Sequence, residues 1–292
     1  MTLPARVVLL DKPIGPTSFD MVRVARRGTR GRVGHAGTLD PFASGLLLIM
    51  TGSATRVSSL LMGLPKEYDL MVQFGAVSST GDPTGEIAGT SEATGVTVSD
   101  VVAVLDRFRG PITQRVPLTS AVKIEGEPLY KKAHRGETAD TPEREVMVYD
   151  LALLEFDEEA QTARLLALTG SGTYARVLAE DIGAALGCGA YASSLRRTRI
   201  GMFAVDEALG PTDLSPQCYE VGRRGVLTLD DALAFLPAVD LGAADARLAA
   251  NGNRLHGLPP GRFRAYGDGR LLGIYEGEGD FARPLVVFPE CA

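Results

Sequence analysis

The stretch from Gly34 to Gly45, which reads G-H-A-G-T-L-D-P-F-A-S-G, constrains this chain more than any other. An apolar run, Leu46–Met50, follows it directly, and a short apolar run bounded by a turn is typical of a buried strand. Glycine permits positive φ angles and a close approach of backbone to a ligand. Pro41 biases Asp40 toward an extended conformation. The stretch therefore predicts a carboxylate on a loop at the mouth of a buried strand, although a plain Asp-Pro turn between two core elements also fits.

Length and composition place the chain among ordinary globular proteins. It has 292 residues, of which 45% are hydrophobic and 23% charged, and this fits one large domain or two. No segment approaches the ~20 apolar residues of a membrane span. The strand-like run at residues 7–10 is too short for the apolar core of a signal peptide. We therefore expect a cytoplasmic protein without a membrane contact.

The cysteines and histidines are few and scattered. Cys188, Cys218 and Cys291 are odd in number and far apart, which argues against a disulfide framework and against a cysteine zinc site. The three histidines are equally dispersed. The sequence therefore predicts no metal site.

Positive charge is concentrated locally in a chain whose net charge is −6. Residues 1–60 hold eight basic and three acidic side chains, a balance of +5. Two further basic groups lie at residues 123–135 and 196–199. Each group alone fits a solvated face. Three groups together, one of them around the Asp40 loop, favour a polyanionic partner, because local patches decide whether phosphates are attracted.

Hydrophobic periodicity predicts a chain of mixed strands and helices up to about residue 205. Apolar or alternating runs predict strands at 7–10, 66–74, 145–156 and 162–168. Caps and helical spacing predict helices at 17–27, 54–62, 99–108 (with Ser99 as the cap) and 173–186. Residues 115–136 are typical of an irregular, basic, functional loop, and a loop or helix end that leads into a strand is expected at 195–205.

The composition changes near residue 209. A loose connector is followed by short helical runs and by hairpin-like segments with the turn Gly267-Asp268-Gly269. We predict a mixed α/β domain over residues 1–228 and a small β-rich domain over residues 229–292.

Familiar cofactor motifs are absent or weak. The chain lacks GxxxxGK[ST], GxSxG and HExxH. Gly170–Ala175 fits G-x-G-x-x-A after a strand and at the start of a helix, which is the setting of a dinucleotide-binding turn. No acidic residue ends a second strand ~20 residues further on. A close strand-to-helix turn is therefore favoured over a nucleotide cofactor.

The remaining chemistry is centred on an acid. A single reactive carboxylate needs a partner that holds it ionised and oriented, and an arginine can do this through charge-assisted hydrogen bonds. Arg176, in the first turn of the predicted helix 173–186, is a candidate. Tyr68, at the head of the predicted strand 66–74, is a candidate for a ring that stacks on a base. Both residues also fit plain structural roles.

Seven short segments occur in one order along the chain: Asp11–Ser18, Gly34–Pro41, Lys66–Tyr68, Gly81–Gly85, Ser120–Tyr130, Gly172–Arg176 and Leu195–Gly201. Together they resemble the TruB family of bacterial tRNA pseudouridine(55) synthases, over about residues 7–205. The tail resembles, more loosely, the PUA-like RNA-binding domain of that family. The resemblance implies an α+β catalytic domain with a central mixed or antiparallel sheet flanked by helices, followed by a small β-rich domain.

The resemblance also implies roles for individual residues. Asp40 matches the catalytic nucleophile, Tyr68 the tyrosine that stacks on the flipped uracil and is implicated in proton abstraction, and Arg176 the partner of the carboxylate. Four further residues match positions that bind the substrate or support the site: His35, which fills the space left in the T-loop by the flipped base, Asp82 near the target base, Leu195 in the uracil pocket, and Lys12 in a motif that mainly supports the active-site loop.

The chain departs from the family pattern in places. Ala36 and Ala175 stand where relatives often carry Thr or Ile, and Val116–Ser120 lacks the expected double proline. We expect these differences to affect packing around the RNA loop without removing a chemical group.

The implied function is the isomerisation of uridine 55 in the T-loop of tRNA to pseudouridine, with base flipping and with Asp40 attacking either the anomeric carbon of the sugar or C6 of the base. This reaction needs no cofactor, nucleotide or metal, which agrees with the missing motifs. We expect a monomer whose partner is the T-arm stem-loop of tRNA. The alternatives are an RNA-binding or tRNA-folding protein with vestigial catalytic residues, and a Rossmann-type oxidoreductase.

Overall fold

The computed structural model of the chain describes residues 3–27, 30–90, 95–120, 122–124, 126–214, 216–220 and 222–288. Outside these ranges lie Cys291, residues 28–29 within the basic N-terminal part, two positions of the Ser120–Tyr130 segment and both chain ends. Cys188 and Cys218 are free thiols in buried positions. Within the described ranges, no helix combines the length and the apolar character needed to cross a membrane.

Strands make up most of the regular structure. They are β1 (Arg6–Lys12), β2 (Val33–Ala36), β3 (Ser44–Thr51), β4 (Lys66–Phe74), β5 (Ala76–Ser78), β6 (Ile87–Gly89), β7 (Gly110–Arg115), β8 (Lys123–Ile124), β9 (Glu127–Pro128), β10 (Glu143–Asp157), β11 (Thr162–Thr169), β12 (Ala190–Ile200), β13 (Phe203–Ala204), β14 (Val226–Thr228), β15 (Ala238–Asp240), β16 (Leu255–His256), β17 (Gly261–Gly267), β18 (Arg270–Glu278) and β19 (Phe281–Val287). The α-helices are α1 (Ser18–Arg26), α2 (Ser58–Met62), α3 (Val98–Leu105), α4 (Leu129–His134), α5 (Ala175–Ala185), α6 (Leu229–Ala232) and α7 (Ala243–Ala250).

A ten-stranded mixed sheet forms the centre of the molecule. Its main path is β14-β1-β3-β12-β4-β11-β10-β7, while β2 pairs with β3 and β13 with β12. Strands β3 and β12 pair in parallel, whereas neighbours such as β1 and β3 or β4 and β11 are antiparallel. Helices α3 and α5 contribute to the apolar core on one face. The mixed α/β class predicted from the sequence is confirmed.

Local sequence patterns explain several of these elements. In β4 every second side chain from Lys66 to Phe74 is buried, as the period-two pattern predicts. Helix α1 begins after Thr17, whose side chain accepts from the backbone N–H of Asp20 in a capping box. The cap of α3 is Thr97, so the prediction of Ser99 as the cap is wrong.

The prediction of a loop or helix end from Leu195 onward is also wrong. This segment lies inside β12, between β3 and β4 at the middle of the sheet. Its two adjacent arginines, Arg196 and Arg197, interrupt the apolar pattern that normally marks a central strand. Since the strand alternates, Leu195 and Arg197 still share one face.

The segment between β7 and β10 is more regular than expected from the sequence. The backbone N–H of Val116 donates to the carbonyl of Pro142 and closes its base. It contains the β8–β9 hairpin and α4. We call residues 116–142 the insertion.

The C-terminal part forms a second, five-stranded sheet in the order β15-β17-β18-β19-β16, so the expected β-rich tail is confirmed. Ile274 and Phe288 from this part share one apolar cluster with Leu46 and Leu48 of β3 and with Leu229 of α6. The C-terminal part therefore packs against the apolar cluster that β3 contributes to on one face of the central sheet. The boundary at 228/229 stays a prediction.

Candidate active site

Asp40 lies on the loop that joins β2 to β3, as the sequence predicts. Two contacts fix this loop to the start of α1. The hydroxyl of Ser18 donates to the carbonyl of Leu39 at 3.0 Å and accepts from its N–H at 2.8 Å. The N–H of Gly15 donates to the carbonyl of Pro41 at 2.7 Å. The loop is therefore held on both sides of the carboxylate.

Gly45 explains why the loop must end in glycine. Its φ angle is +104°, and a Cβ at this position would lie 2.3 Å from the carbonyl oxygen of Arg197. The start of β3 thus runs against β12 at a distance that excludes any side chain.

Arg176 is the direct partner of Asp40. It lies in the first turn of α5, and its Nε–H donates to Oδ2 of Asp40 at 2.8 Å. The arginine side chain is only 4% exposed, while that of Asp40 is 34% exposed. Nη1 of Arg176 donates to the carbonyl of Thr80 and, at 2.9 Å, to Oγ1 of Thr119. The buried cation therefore orients a carboxylate that stays open to a ligand.

Asp82 is the second carboxylate at this arginine. Its Oδ2 lies 3.4 Å from Nη1 of Arg176. Its Oδ1 accepts from the Thr80 hydroxyl and the Thr84 N–H, both at 2.9 Å, and from the Thr84 hydroxyl. Asp82 is buried, so it organises its own turn and places a second negative charge beside Arg176.

Tyr68 and Leu195 belong to the apolar core that borders the Asp40 loop. They lie on the adjacent strands β4 and β12, and both are almost completely buried. They share one core cluster with Leu39 and Phe42, the residues that flank Asp40 and Pro41 in the loop. An aromatic ring and an aliphatic side chain therefore belong to the same apolar cluster as the residues that flank the carboxylate loop.

Lys12 supports the loop from within. It is fully buried, and its ammonium donates to the carbonyls of Pro13 and Pro16, both at 2.9 Å. The pKa of Lys12 is lowered to about 8, mainly by burial; the charge of Asp40 opposes this shift and that of Arg197 adds to it. These contacts agree with a supporting role, and its assignment to substrate binding stays a prediction.

His35 lies on β2, before the Asp40 loop, where it pairs in register with Ile49 of β3. Its ring is half-buried, and Nδ1 has no hydrogen-bond partner within the described residues. Burial lowers the pKa of His35, and the charge of Arg197 lowers it further. The imidazole is therefore held in its neutral form near pH 7.

Arg197 is a functional candidate that the sequence reasoning missed. It was counted in a basic surface group, but its side chain is completely buried. Nε donates to the carbonyl of Leu46 at 2.7 Å and Nη2 to that of Gly37 at 2.8 Å. One guanidinium thus connects the two ends of the Asp40 loop. The alternation from Leu195 to Arg197 within a strand was the signal that could have revealed it.

Glu180 was also missed. It lies one helical turn after Arg176, and a Cβ on Gly81 would approach its carboxylate to 2.7 Å, so it packs against the loop that carries Asp82. The pKa of Glu180 is raised to about 7, mainly by burial; Arg176 opposes this shift, and Asp181 and Asp82 add to it. The spacing of four residues from Arg176 on a helix was the available signal.

The surface beside the loop is basic and partly apolar. Arg27, Arg30 and Arg32 are exposed. Arg23 of α1 stacks on the exposed ring of Phe19, with its guanidinium carbon 4.8 Å from the ring centroid. The second basic group is weaker than its sequence suggests, because Arg135 pairs with two glutamates of the insertion.

The site combines a partly exposed carboxylate, a buried arginine that contacts two carboxylates, and exposed arginines on the neighbouring surface. Residues 25–175 match the TruB family pseudouridylate synthase N-terminal domain, and residues 176–233 match the tRNA pseudouridylate synthase B C-terminal domain. The chain belongs to the TruB family of pseudouridylate synthases.

Individual relatives agree with this assignment. The chain is 40% identical to the tRNA pseudouridine synthase B of Azoarcus sp. (strain BH72), over 97% of this chain and 95% of that protein. It is 37% identical to the protein of the same name from Thermobifida fusca (strain YX), over 97% and 98% of the two chains. A chain in the crystal structure of a Cbf5-Nop10-Gar1 complex has 26% identity and a TM-score of 0.73, over 97% of this chain and 85% of that one.

Proposed function

We propose that this chain converts uridine 55 in the T-loop of tRNA to pseudouridine. Its relatives are named tRNA pseudouridine synthase B. The observation that carries the proposal is the 2.8 Å bond between buried Arg176 and the partly exposed Asp40. It orients one carboxylate outward, as a nucleophile requires.

The reaction explains why each group is needed. Isomerisation breaks the bond between C1′ and N1 and forms one between C1′ and C5, so the C5 proton leaves and N1 gains a proton. Asp40 is the nucleophile, attacking either C1′ or C6. Tyr68 stacks on the uracil and takes part in removing the C5 proton, and Leu195 completes the uracil pocket.

Base flipping gives His35 its role. A target base must leave its stack before a carboxylate on the protein can reach it. The neutral, half-buried imidazole suits a group that fills the space left in the RNA. An uncharged ring can stack between bases without the cost of removing a charge from water. Asp82 and Lys12 hold the turns on either side of the pocket.

The proposed partner is the T-arm stem-loop of tRNA. The exposed arginines at 23–32 provide the positive rim that RNA phosphates require. We also propose that the protein acts as a monomer, since Asp40, Arg176, Tyr68 and Leu195 all come from one chain.

Tritium release tests the proposal. A T-arm RNA with tritium at C5 of uridine is incubated with the wild type and with Asp40→Asn. We expect the wild type alone to release tritium. Release by both proteins would rule out Asp40 as the nucleophile. Binding without release by the wild type would instead support an RNA-binding protein, which the intact site does not favour.

A further inference from the structure

The central arginine has two carboxylates within reach. Nε of Arg176 bonds Asp40 at 2.8 Å, while Oδ2 of Asp82 lies 3.4 Å from Nη1. A guanidinium can pair with either carboxylate, but only pairing with Asp40 serves the nucleophile. Something must therefore hold the guanidinium in the orientation that favours Asp40.

Both hydrogens of Nη1 already have acceptors. One bonds the carbonyl of Thr80, and the other bonds Oγ1 of Thr119 at 2.9 Å. With Nε on Asp40, these bonds define the plane of the guanidinium. The Thr119 bond occupies the hydrogen that would otherwise be available to Asp82.

Thr119 is well placed for this task. It lies in the turn at the root of the insertion, where the N–H of Ser120 donates to the carbonyl of Pro117 at 3.1 Å. A second contact ties the same region to α5: the Gln114 side chain accepts from the N–H of Tyr174 and donates to its carbonyl. Since Tyr174 precedes Arg176 by two residues, these hydrogen bonds connect the start of α5 to the segment that leads into the insertion.

We propose that Thr119 is a positioning residue, whose hydroxyl holds the guanidinium of Arg176 in the orientation that pairs its Nε with Asp40. The proposal deepens the proposed function and rests on it. Thr119 touches the arginine and not the reacting atoms, so it acts through the orientation of the Asp40 carboxylate. The Thr119 hydrogen bond also makes the geometry of the site depend on the root of the insertion. The insertion itself carries the exposed Lys123 and Lys131.

The test compares Thr119→Val, which removes the acceptor and keeps the shape, with Thr119→Ser, which keeps the hydroxyl. Single-turnover tritium release is measured at saturating T-arm RNA, and the Kd for the same RNA is measured separately. We expect Thr119→Val to lower the single-turnover rate about tenfold, as the loss of one hydrogen bond to a charged group implies. The Kd should stay within about twofold of the wild type, and Thr119→Ser should restore most of the rate.

Thr113→Val is the matched control, since Thr113 is an exposed residue of β7. An unchanged rate in Thr119→Val, an equal loss in Thr119→Ser, or a loss confined to Kd would overturn the proposal. If Thr119→Val does not fold, Thr119→Ala and Thr119→Ser provide the same comparison. Failure of the proposed function is distinct, because the wild type itself would then release no tritium.

Discussion

Replacing Arg176 with lysine tests the pairing at the centre of the site. The guanidinium makes hydrogen bonds in three directions, to Asp40, to the carbonyl of Thr80 and to Thr119. An ammonium is a compact charge and cannot reproduce this planar set. Lysine at this position therefore keeps the charge but loses the orientation of the carboxylate.

The size of the effect follows from the hydrogen bonds that are lost. Lysine keeps the charge but loses about two of the three hydrogen bonds, and each hydrogen bond to a charged group is worth about 1.5–3 kcal/mol. The Asp40 side chain is 34% exposed, so water compensates part of the loss and the lower limit applies. A loss of about 3 kcal/mol from the transition state corresponds to roughly a hundredfold slower reaction.

The assay is single-turnover tritium release at saturating T-arm RNA, with urea unfolding as a measure of the fold. Arg164→Lys is the matched control, because Arg164 pairs with Asp69 on the opposite side of β4 from Tyr68 and is 38% exposed. We expect the control to keep nearly normal activity. Near-normal turnover by folded Arg176→Lys would refute the assigned geometry.

Three further predictions concern the surroundings of the site. Gly45→Ala should lower the free energy of unfolding by more than about 3 kcal/mol, because the new Cβ overlaps the Arg197 carbonyl. Gly15→Ala is the control: its φ is +107° and nothing lies near its Cβ, so backbone strain alone should lower the free energy of unfolding by about 1–2 kcal/mol. Equal losses in urea unfolding would contradict this. The pKa of Glu180 is raised from 4.5 to about 7. Between these two pH values the folded state keeps a proton that the unfolded state has lost, so stability falls as the pH rises from 4.5 to about 7. Glu180→Gln should flatten that fall, and an unchanged slope in urea unfolding from pH 4 to 8 would argue against it. Arg197→Met should raise the pKa of His35, because it removes a nearby positive charge that lowers this pKa. An NMR titration of the His35 ring that shows no upward shift would contradict this prediction.

The sequence by itself determined the elements whose signal is local. The alternation from Lys66 to Phe74 predicted β4, because side-chain burial in a half-buried strand repeats every second residue. The uninterrupted apolar run after Gly45 predicted β3, a strand that is buried on both faces. The Asp40 loop was predicted from its glycines and proline. The family resemblance added residue roles that no local pattern contains, and these roles stay predictions to be tested by the variants above.

The tertiary structure decided everything that depends on distant partners. Arg176 and Asp40 are 136 residues apart in sequence, and Thr119 reaches the same arginine from a third segment. The sequence places Arg197 in a basic group that fits a solvated face, because charge is visible in a sequence and burial is not. The packing of Ile274 and Phe288 beneath β3 is equally invisible. Local periodicity shows which face of a helix or strand is apolar. Which distant residue packs against that face is decided only when the chain folds and brings segments far apart in sequence together.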